Sequence, residues 1–290
     1  MQSKDTRKKM QKQSSKLIKK LKRLLENTGD MALKRRARRI IEETSPQDGD
    51  NILEVGCGDG FYLHLLSSLD LKLKLSGVDL NPMALKSAKE NLKGKKILLQ
   101  EADLMRKLPF KKQSFDKVIM SEVAEHLPND VKGLKEVGRV LKKDGILVLT
   151  VPNHNYPFFW DPVNWTLEHF FGTHIKSGFW SGLWNQHLRL YTPNQIEKSV
   201  KKAGFNIEKV ESMTWWCLPF NHNLMHLAAR KLYGGDLSPE MTKAISKYNK
   251  VSRRPFLIDL AFGTVNLMDR LNDIYQPKDY GVGVLVKAFK

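Results

Sequence analysis

Three glycines alternate with other residues where an apolar run gives way to an amphipathic pattern. The stretch is "NILEVGCGDGFYLHLL", residues 51–66, and the glycines are Gly56, Gly58 and Gly60. Glycine lets the backbone approach a ligand closely and adopt dihedral angles that other residues disfavour. A strand, a glycine loop and a helix in this order predict a loop that holds a nucleotide at the carboxyl end of a strand.

The spacing of the glycines argues against a redox dinucleotide. That fingerprint is G-x-G-x-x-G, which would place the third glycine at position 61, where this chain has Phe61. Glu54 before the loop and Asp59 within it add negative charge, which would repel a pyrophosphate and attract a sulfonium cation that carries an ammonium group. The loop therefore favours a methyl donor of that kind.

Acidic residues also follow the next two predicted strands. Asp79 ends the run "GVDL" together with Leu80, and Asp103 ends "EAD". The carboxyl ends of parallel strands meet at one edge of a sheet, so a carboxylate at position 79 can accept both ribose hydroxyls and one at 103 can accept an adenine amino group. The alternative interpretation is that these acids serve only as helix N-caps or surface charge.

The elements that would position these residues alternate regularly. Strands "NILEVG", "KLKLSGVDL", "KKILLQEAD", "FDKVIMS" and "GILVLTV" are separated by helical patterns, which predicts a parallel sheet with helices on both faces. A further helix is predicted in "TPNQIEKSVKKAGF", with Thr192 as N-cap and Gly204 at its end. Two segments interrupt the scheme: an aromatic run over 152–190, and a mostly helical stretch over 217–280 before a last strand, "GVGVLVKAF".

Composition narrows the class of protein. The 290 residues are 41% hydrophobic, which is enough for a sizeable core. The two cysteines, Cys57 and Cys217, are too far apart in the sequence for a disulfide framework or a zinc motif. No apolar run approaches the roughly 20 residues of a membrane-spanning helix. We therefore expect a cytoplasmic protein.

The positive charge is concentrated at the start of the chain. The formal net charge is +18, and residues 1–40 hold 15 lysines and arginines against three acidic residues. Within this stretch, leucine and isoleucine side chains at 17, 18, 21, 24 and 25 share one face of a helix. We predict a basic helical extension over 1–44 and a second domain over 45–290. Such a helix suits an anionic membrane surface or nucleic acid, or packs on its own domain.

Four segments resemble the class I S-adenosylmethionine-dependent methyltransferases. They are "ILEVGCGDG", "GVDLNP", "EADLMRKLPFKKQSFDKVIMSEVAEHLPN" and "VLKKDGILVLTVPN", and the resemblance resumes at "HLRLYTPNQIEKSVKKAGF". It implies an α/β, Rossmann-like, doubly wound sheet of seven strands, mostly parallel, with an antiparallel last strand and residues 217–280 inserted before it. The loop and the resemblance together predict these donor-binding residues: Glu54, Gly56, Gly58, Gly60, Asp79, Leu80, Asp103, Leu104 and Ser121.

The segment "SEVAEHLPN" after the fourth strand resembles the polyprenyl-dihydroxybenzoate O-methyltransferases of ubiquinone synthesis. That resemblance implies that Ser121 touches the donor and that Glu122, Glu125 and His126 hold a metal ion, Mg²⁺, which lowers the pKa of an acceptor hydroxyl. Related methyltransferases carry "EHL" without a metal, in which case the two glutamates orient the donor. The candidate catalytic bases are His126, His154 and His187, and each has a structural role as its alternative.

The aromatic run bears on the acceptor. Residues 156–184 hold ten of the 26 aromatic residues and a single basic side chain, Lys176. Base-stacking platforms interleave aromatics with Lys or Arg, so this lid favours a small apolar or lipid- or polyprenyl-linked acceptor, or else packs as core. We predict O-methylation of such an acceptor by a protein peripheral to the inner face of a membrane. The alternative is a ribose or ring-nitrogen RNA methyltransferase anchored by the basic extension, and nucleic acid is the less favoured partner.

Overall fold

The structure is a computed structural model that describes residues 16–217, 246–248, 256–275 and 277–290. The first 15 residues of the basic extension lie outside the described residues. So do the predicted helix "HNLMHLAARKLYG" and most of "SPEMTKAISKYNKV".

One seven-stranded sheet organises the chain. Its strands are β1 Asn51–Val55, β2 Lys74–Asp79, β3 Ile97–Glu101, β4 Phe115–Ser121, β5 Leu141–Pro152, β6 Asn206–Met213 and β7 Gly283–Phe289. The spatial order is β3-β2-β1-β4-β5-β7-β6. The pairings from β3 across to β5 are parallel, and β7 is antiparallel to both β5 and β6. The predicted fold class, including the antiparallel last strand, is confirmed.

Helices cover both faces of the sheet. They are α1 at residues 16–24, α2 Met31–Thr44, α3 Phe61–Ser67, α4 Pro82–Asn91, α5 Asp130–Val140, α6 Pro162–Phe171, α7 Pro193–Lys202, α8 Phe256–Asp269 and α9 Leu271–Ile274. Local sequence explains several of their starts. Asn81 caps α4 before Pro82, and Thr192 forms a capping box with Gln195 at the start of α7, as the sequence predicts.

The strand order reverses between β1 and β4. In a doubly wound sheet this reversal opens a crevice at the carboxyl ends of the strands, because the connecting helices leave to opposite faces. The loops that follow β1, β2, β3 and β4 all reach this edge. The fold thereby brings together the acidic and glycine positions that the sequence distributes over 70 residues.

The described part of the basic extension packs on the domain. Leu21 and Leu25 are almost fully buried, in the same cluster as Ile40 and Ile41 of α2 and residues of β1 and α3. Arg35 is only 2% exposed, and it pairs with Asp269 at 2.9 Å and Asp273 at 2.8 Å. Residues 16–24 and 31–44 are helical, as the sequence predicts for this extension, and their apolar side chains pack within the chain.

The aromatic run is divided between core and surface. Tyr156, Trp160 and Trp184 are buried in a cluster that also holds Met31 and Val282. The remaining aromatic side chains of this run are at least partly exposed, and the most exposed are on and around α6: Phe158, Phe159, Phe170, Phe171, Phe179 and Trp180. Both interpretations of the run, core lid and open apolar surface, therefore apply to different residues.

A second apolar surface comes from α8, just before β7. Val265 packs against the cluster that holds Trp160 and Trp184, while Phe256 and Leu267 are 77% and 63% exposed. None of the helices in the described ranges has the length and hydropathy needed to cross a bilayer. The packed side of α8 and Trp165 of α6 thus contact the same cluster.

Candidate active site

A cavity of about 560 Å³ lies at the carboxyl edge of β1 to β4. It is bounded by the four loops that follow these strands and by one residue from the segment before α7. Its lining residues are Val55, Gly56, Gly58, Val78, Asp79, Leu80, Asn81, Ala102, Asp103, Leu104, Met105, Leu108, Glu122, Val123, His126, Leu127, Pro128 and Gln186. This volume is in the usual range of small-ligand sites.

The glycine loop needs glycine at its ends for reasons the structure makes explicit. Gly56 has φ +70°, and a Cβ there would lie 2.3 Å from a methyl group of Val123, which follows β4. Gly60 has φ +82° and precedes α3, and a Cβ there would lie 2.8 Å from the side chain of Leu92, the residue that follows α4. A side chain at either position would be strained by the positive φ and would force a neighbouring side chain to move, most severely Val123 at Gly56.

Asp79 joins the glycine loop to the next loop. Its Oδ2 accepts the Gly58 N–H at 2.7 Å, and its Oδ1 accepts the Asn81 N–H at 2.8 Å. A carboxylate oxygen has two lone pairs, so each oxygen keeps one acceptor position. The carboxylate lines the cavity and is held rigidly enough to bind the two hydroxyls of a ribose.

The residues predicted to face adenine, Asp103 and Leu104, also line the cavity. The Oδ1 of Asp103 accepts the Met105 N–H at 2.8 Å, and its Oδ2 lies 3.6 Å from Nε of Arg106. Leu104 is buried in the wall of the cavity, whereas Leu80 is 63% exposed at its rim. Apolar side chains on either side of an acceptor suit a flat purine ring with an amino group.

Glu54 lies beneath the loop and is not among the residues that line the cavity. It is 2% exposed, and its Oε2 accepts the Leu63 N–H at 3.2 Å in the first turn of α3. Burial, reinforced by Asp59 and Asp79, raises the pKa of Glu54 well above its usual range. The structure therefore gives Glu54 a supporting position under the loop, from which it caps the helix that the loop opens.

Ser121 belongs to a buried hydroxyl network beside the cavity. Its Oγ lies 3.0 Å from the hydroxyl of Tyr62 and 3.0 Å from that of Thr150. Thr150 in turn donates to Glu122 at 3.0 Å, and the other oxygen of Glu122 pairs with Arg36 of α2 at 2.6 Å. Ser121 does not line the cavity, and Glu122 is engaged by a cation from the N-terminal helix.

On the acceptor side, the fold brings His187 to two predicted residues that are adjacent in sequence, Glu125 and His126. The possible ligand atoms of Glu125, His126 and His187 all lie within 4.8 Å of one another. The Oε1 of Glu125 is 3.9 Å from Nε2 of His126 and 3.8 Å from Nε2 of His187. The Leu188 N–H donates to the Glu125 carbonyl at 3.1 Å, which fixes the segment that carries His187 over the end of β4.

The carboxylate of Glu125 is an unusual group in this position. It is fully buried, and neither oxygen has a hydrogen-bond partner among the described residues. Burial, and secondly the charge of Glu122, raises the pKa of Glu125 well above its usual range. A buried acceptor without a partner is costly, which is typical of a functional site.

Of the predicted metal ligands, Glu125 and His126 lie together. The third side chain beside them is His187 and not the predicted Glu122. Glu122 is 23% exposed and paired with Arg36. His154, the other candidate base, is exposed, lies 3.5 Å from Asn155 through its Nδ1, and is not among the cavity residues. The metal and base assignments remain predictions.

Comparison with known proteins agrees with this geometry. A family model described as "Methyltransferase domain" matches residues 53–149, the stretch from β1 to β5 that holds the glycine loop and both aspartates. The stretch from β1 to β5 is thus a methyltransferase domain of the class I S-adenosylmethionine-dependent type. The cofactor of such a domain is S-adenosylmethionine, and its placement on the loops after β1, β2 and β3 stays a prediction.

Individual relatives of this methyltransferase match parts of the chain. An uncharacterised protein of Methanocaldococcus jannaschii is 38% identical over 128 residues, which are 43% of this chain and 47% of that protein. Demethylmenaquinone methyltransferase of Thermotoga maritima is 26% identical over 206 residues, 64% of this chain and 82% of that enzyme. The match thus spans about half the length of the first relative.

A solved structure shows the same fold with the donor bound. Phosphoethanolamine N-methyltransferase 2 of Haemonchus contortus, in complex with S-adenosyl-L-methionine, aligns with a TM-score of 0.53 at 21% identity. The alignment covers 88% of this chain and 52% of that one. At this identity the likeness concerns the fold alone.

Sequence reasoning missed several residues at the site, among them Arg36, Tyr62 and Gln186. In the sequence, Arg36 is one of many basic residues on an amphipathic helix, and no neighbouring residue indicates that it pairs with Glu122. Tyr62 reads as a buried aromatic residue of α3. Gln186 lines the cavity, and its carbonyl lies 3.0 Å from Nδ1 of His126; its position beside His187 was the only available signal.

Gly56→Ala is expected to weaken donor binding by at least about tenfold, because the substitution adds backbone strain and a contact at 2.3 Å with Val123. Isothermal titration with S-adenosylmethionine measures this. Gly94→Ala is the matched control: Gly94 has φ +79° and nothing within 4 Å of its Cβ position, so that variant adds strain without a clash and leaves the donor affinity unchanged. Equal affinities of the wild type and Gly56→Ala would contradict the assignment of the loop.

Glu54→Gln is expected to make stability less dependent on pH. Because the folded-state pKa of Glu54 is raised, its contribution is complete below the unfolded pKa, about 4.3, and is lost as the pH rises toward the folded value. The amide still accepts the Leu63 N–H but cannot ionise. Urea unfolding at about pH 5 and about pH 8 should show the variant gaining on the wild type at the higher pH. Glu197→Gln, at a partly exposed helix pair with Lys201, should show no such trend.

Proposed function

We propose that this protein methylates a hydroxyl oxygen of a small apolar or polyprenyl-linked acceptor, with S-adenosylmethionine as donor. The observation that carries the proposal is the cluster of Glu125, His126 and His187, which borders the donor cavity on the side of β4. The relationship to a demethylmenaquinone methyltransferase supports an acceptor of the quinone class.

The cluster can accept the proton that an acceptor hydroxyl loses. Since the Gln186 carbonyl can only accept, the contact at 3.0 Å requires Nδ1 of His126 to carry hydrogen, and a neutral ring then has Nε2 as an acceptor. Burial, and secondly the nearby His126, lowers the pKa of His187, so that this imidazole is neutral near pH 7. Methyl transfer needs an oxygen in line with the sulfonium methyl at about 3 Å, with its proton removed before or during attack.

The same atoms fit a divalent cation. A buried carboxylate without a hydrogen-bond partner, next to two imidazole nitrogens, is a donor set that a metal ion would satisfy. Glu125, His126 and His187 would hold the ion, and the ion would lower the pKa of an acceptor hydroxyl bound to it. Two imidazoles favour Zn²⁺, Mn²⁺ or Fe²⁺ over the Mg²⁺ implied by the family resemblance.

The surroundings of the cluster support an apolar acceptor. Phe158, Phe159 and Trp180 are exposed on the segment that ends at His187, and Phe170 and Phe171 are more than 70% exposed at the end of α6. Solvent-exposed aromatic side chains suit a membrane interface. A polyprenyl tail could then remain in the lipid while its head group enters the cavity.

RNA, the alternative acceptor, has weaker support from the basic extension. Arg35 pairs with Asp269, Arg36 with Glu122, and Arg39 with Glu211, so these three arginines of α2 are neutralised within the chain. Cations already paired in this way contribute little to binding a phosphate backbone. The lipid-linked acceptor remains the better supported of the two.

The decisive experiment compares cells with and without the gene. Labelled S-adenosylmethionine is supplied, and lipid, quinone and RNA fractions are analysed by mass spectrometry. We expect a methylated quinone-like or lipid-soluble product that is lost with the gene and restored by the wild type, but not by Gly56→Ala. Loss of label from RNA alone would replace this proposal with the RNA alternative.

His187→Ala is expected to weaken binding of Zn²⁺ or Mn²⁺ by at least about tenfold, because one of three ligands is lost. Titration calorimetry with each metal salt, with Mg²⁺ as a third arm, measures this without any acceptor. His154→Ala is the control, since this exposed histidine lies outside the cavity. Equal metal affinity in the wild type and His187→Ala would show that His187 is not a metal ligand, and the cluster would then act only as a base.

Replacing Phe170 and Phe171 together by serine is expected to reduce flotation with phosphatidylcholine–phosphatidylglycerol vesicles at least about fivefold, because each exposed ring loses its apolar burial in the interface. Leu98→Ser is the matched control, since Leu98 is 50% exposed on the distant edge strand β3. The membrane part of the proposal would be contradicted if the wild-type protein did not bind the vesicles. It would also be contradicted if the double variant floated with them as well as the wild type.

A further inference from the structure

We propose that residues 246–248, in the insertion between β6 and β7, brace the glycine loop and thereby set its affinity for S-adenosylmethionine. Lys247 and Tyr248 are the positioning residues, and both act through Asp59, the loop residue between Gly58 and Gly60. This inference rests on the donor site of the proposed function and is independent of the acceptor.

The first contact is an ion pair. Nζ of Lys247 lies 2.8 Å from Oδ2 of Asp59, and both side chains are partly buried, at 23% and 36% exposure. The same ammonium lies 4.7 Å from the ring centroid of Phe61, the first residue of α3. A cation held by a carboxylate and an aromatic face is restricted more than one in a simple surface pair.

The second contact holds the backbone of the loop. The hydroxyl of Tyr248 donates to the carbonyl of Asp59 at 3.0 Å, and the side chain of Asn91 in α4 donates to the same carbonyl at 2.9 Å. The Tyr248 ring packs edge-on against Phe61 at 5.8 Å and against His64 at 5.2 Å. One carbonyl of the loop is thus held from two separate elements, and the joint between loop and helix is covered by an aromatic ring.

The loop needs such restraint because of its composition. Three of its residues are glycines with positive φ, and glycine loses more conformational freedom on ordering than any other residue. A ligand that must order the loop itself binds more weakly than one that meets a loop already ordered. The brace lies outside the cavity, since none of Asp59, Lys247 and Tyr248 lines it. It therefore acts on affinity without touching the donor.

A purely electrostatic role would have the opposite sign. S-adenosylmethionine carries one positive charge more than its product, S-adenosylhomocysteine, so removal of a nearby cation would tighten the donor and leave the product unchanged. A brace acts on the loop and weakens both ligands in parallel. The two ligands therefore distinguish the mechanisms.

The test is calorimetric titration of the full chain with both ligands. Tyr248→Phe keeps the ring packing and removes only the hydroxyl, and we expect its dissociation constants for both ligands to rise about three- to tenfold. Lys247→Met keeps the side-chain length, with an expected rise of about two- to fivefold, and Lys247→Arg restores affinity. In a double-mutant cycle, adding Asp59→Asn to Lys247→Met should cost little more than either change alone.

Lys20→Met is the matched control, since Lys20 forms a lysine–aspartate pair with Asp70 away from the loop, and its affinities should equal those of the wild type. Unchanged affinities in Lys247→Met and Tyr248→Phe, or tighter donor binding in Lys247→Met, would overturn the brace while leaving the donor site intact. The brace is supported if Lys20→Met and Lys247→Met lower the melting temperature by the same amount but only Lys247→Met loses affinity for the two ligands. If the wild type binds neither ligand, the donor assignment fails and the brace with it.

Discussion

The hydrogen bonds between the glycine loop and the end of β2 fix the geometry on which the rest of the site depends. The Gly56 N–H donates to the Val78 carbonyl at 2.8 Å, and the Gly58 N–H donates to Asp79 at 2.7 Å. These bonds hold the loop flat across the strand ends. Val123 then packs against Gly56, so the loop after β4, which carries the acceptor-side residues, is positioned by the donor loop.

A second constraint joins the N-terminal helix to this edge. Arg36 and Glu122 form an ion pair in which both side chains are three-quarters buried. Burial alone would lower the pKa of Arg36, but Glu122 and Tyr62 raise it, so the guanidinium stays charged. Removing one partner of such a pair leaves an uncompensated charge. The pair also distinguishes Glu122 from Glu125. The Glu122 carboxylate is neutralised by Arg36, whereas the buried Glu125 carboxylate has two histidines beside it among the described residues.

The sequence predicts the donor side well because its signals are local. A glycine with positive φ and an aspartate at a strand tip are each determined by a few neighbouring residues, and the order of strands and helices follows from hydrophobic periodicity. The acceptor side depends on contacts between distant segments. His187 reaches Glu125 only because the segment before α7 folds back over the end of β4, where the Leu188 N–H donates to the Glu125 carbonyl. In the sequence, 61 residues lie between Glu125 and His187, and no local pattern predicts their contact.

The same limit explains the aromatic run and the basic extension. Composition shows that ten aromatics are close in sequence, but only packing decides that Tyr156 is buried and Phe170 exposed. Likewise, the charge of α2 is visible in the sequence, whereas its pairing with Asp269 and Glu211 is not.

The antiparallel last strand also determines where the insertion leaves the sheet. Met213 and Pro152 both pair with Gly283, so the insertion leaves and re-enters the sheet at neighbouring points. Loop-closure entropy grows only slowly with length, so the insertion could change in length while the sheet keeps its register. Its exchange would remove the contacts of Lys247 and Tyr248 with Asp59, so the length of the insertion is free while the residues that reach the glycine loop are constrained.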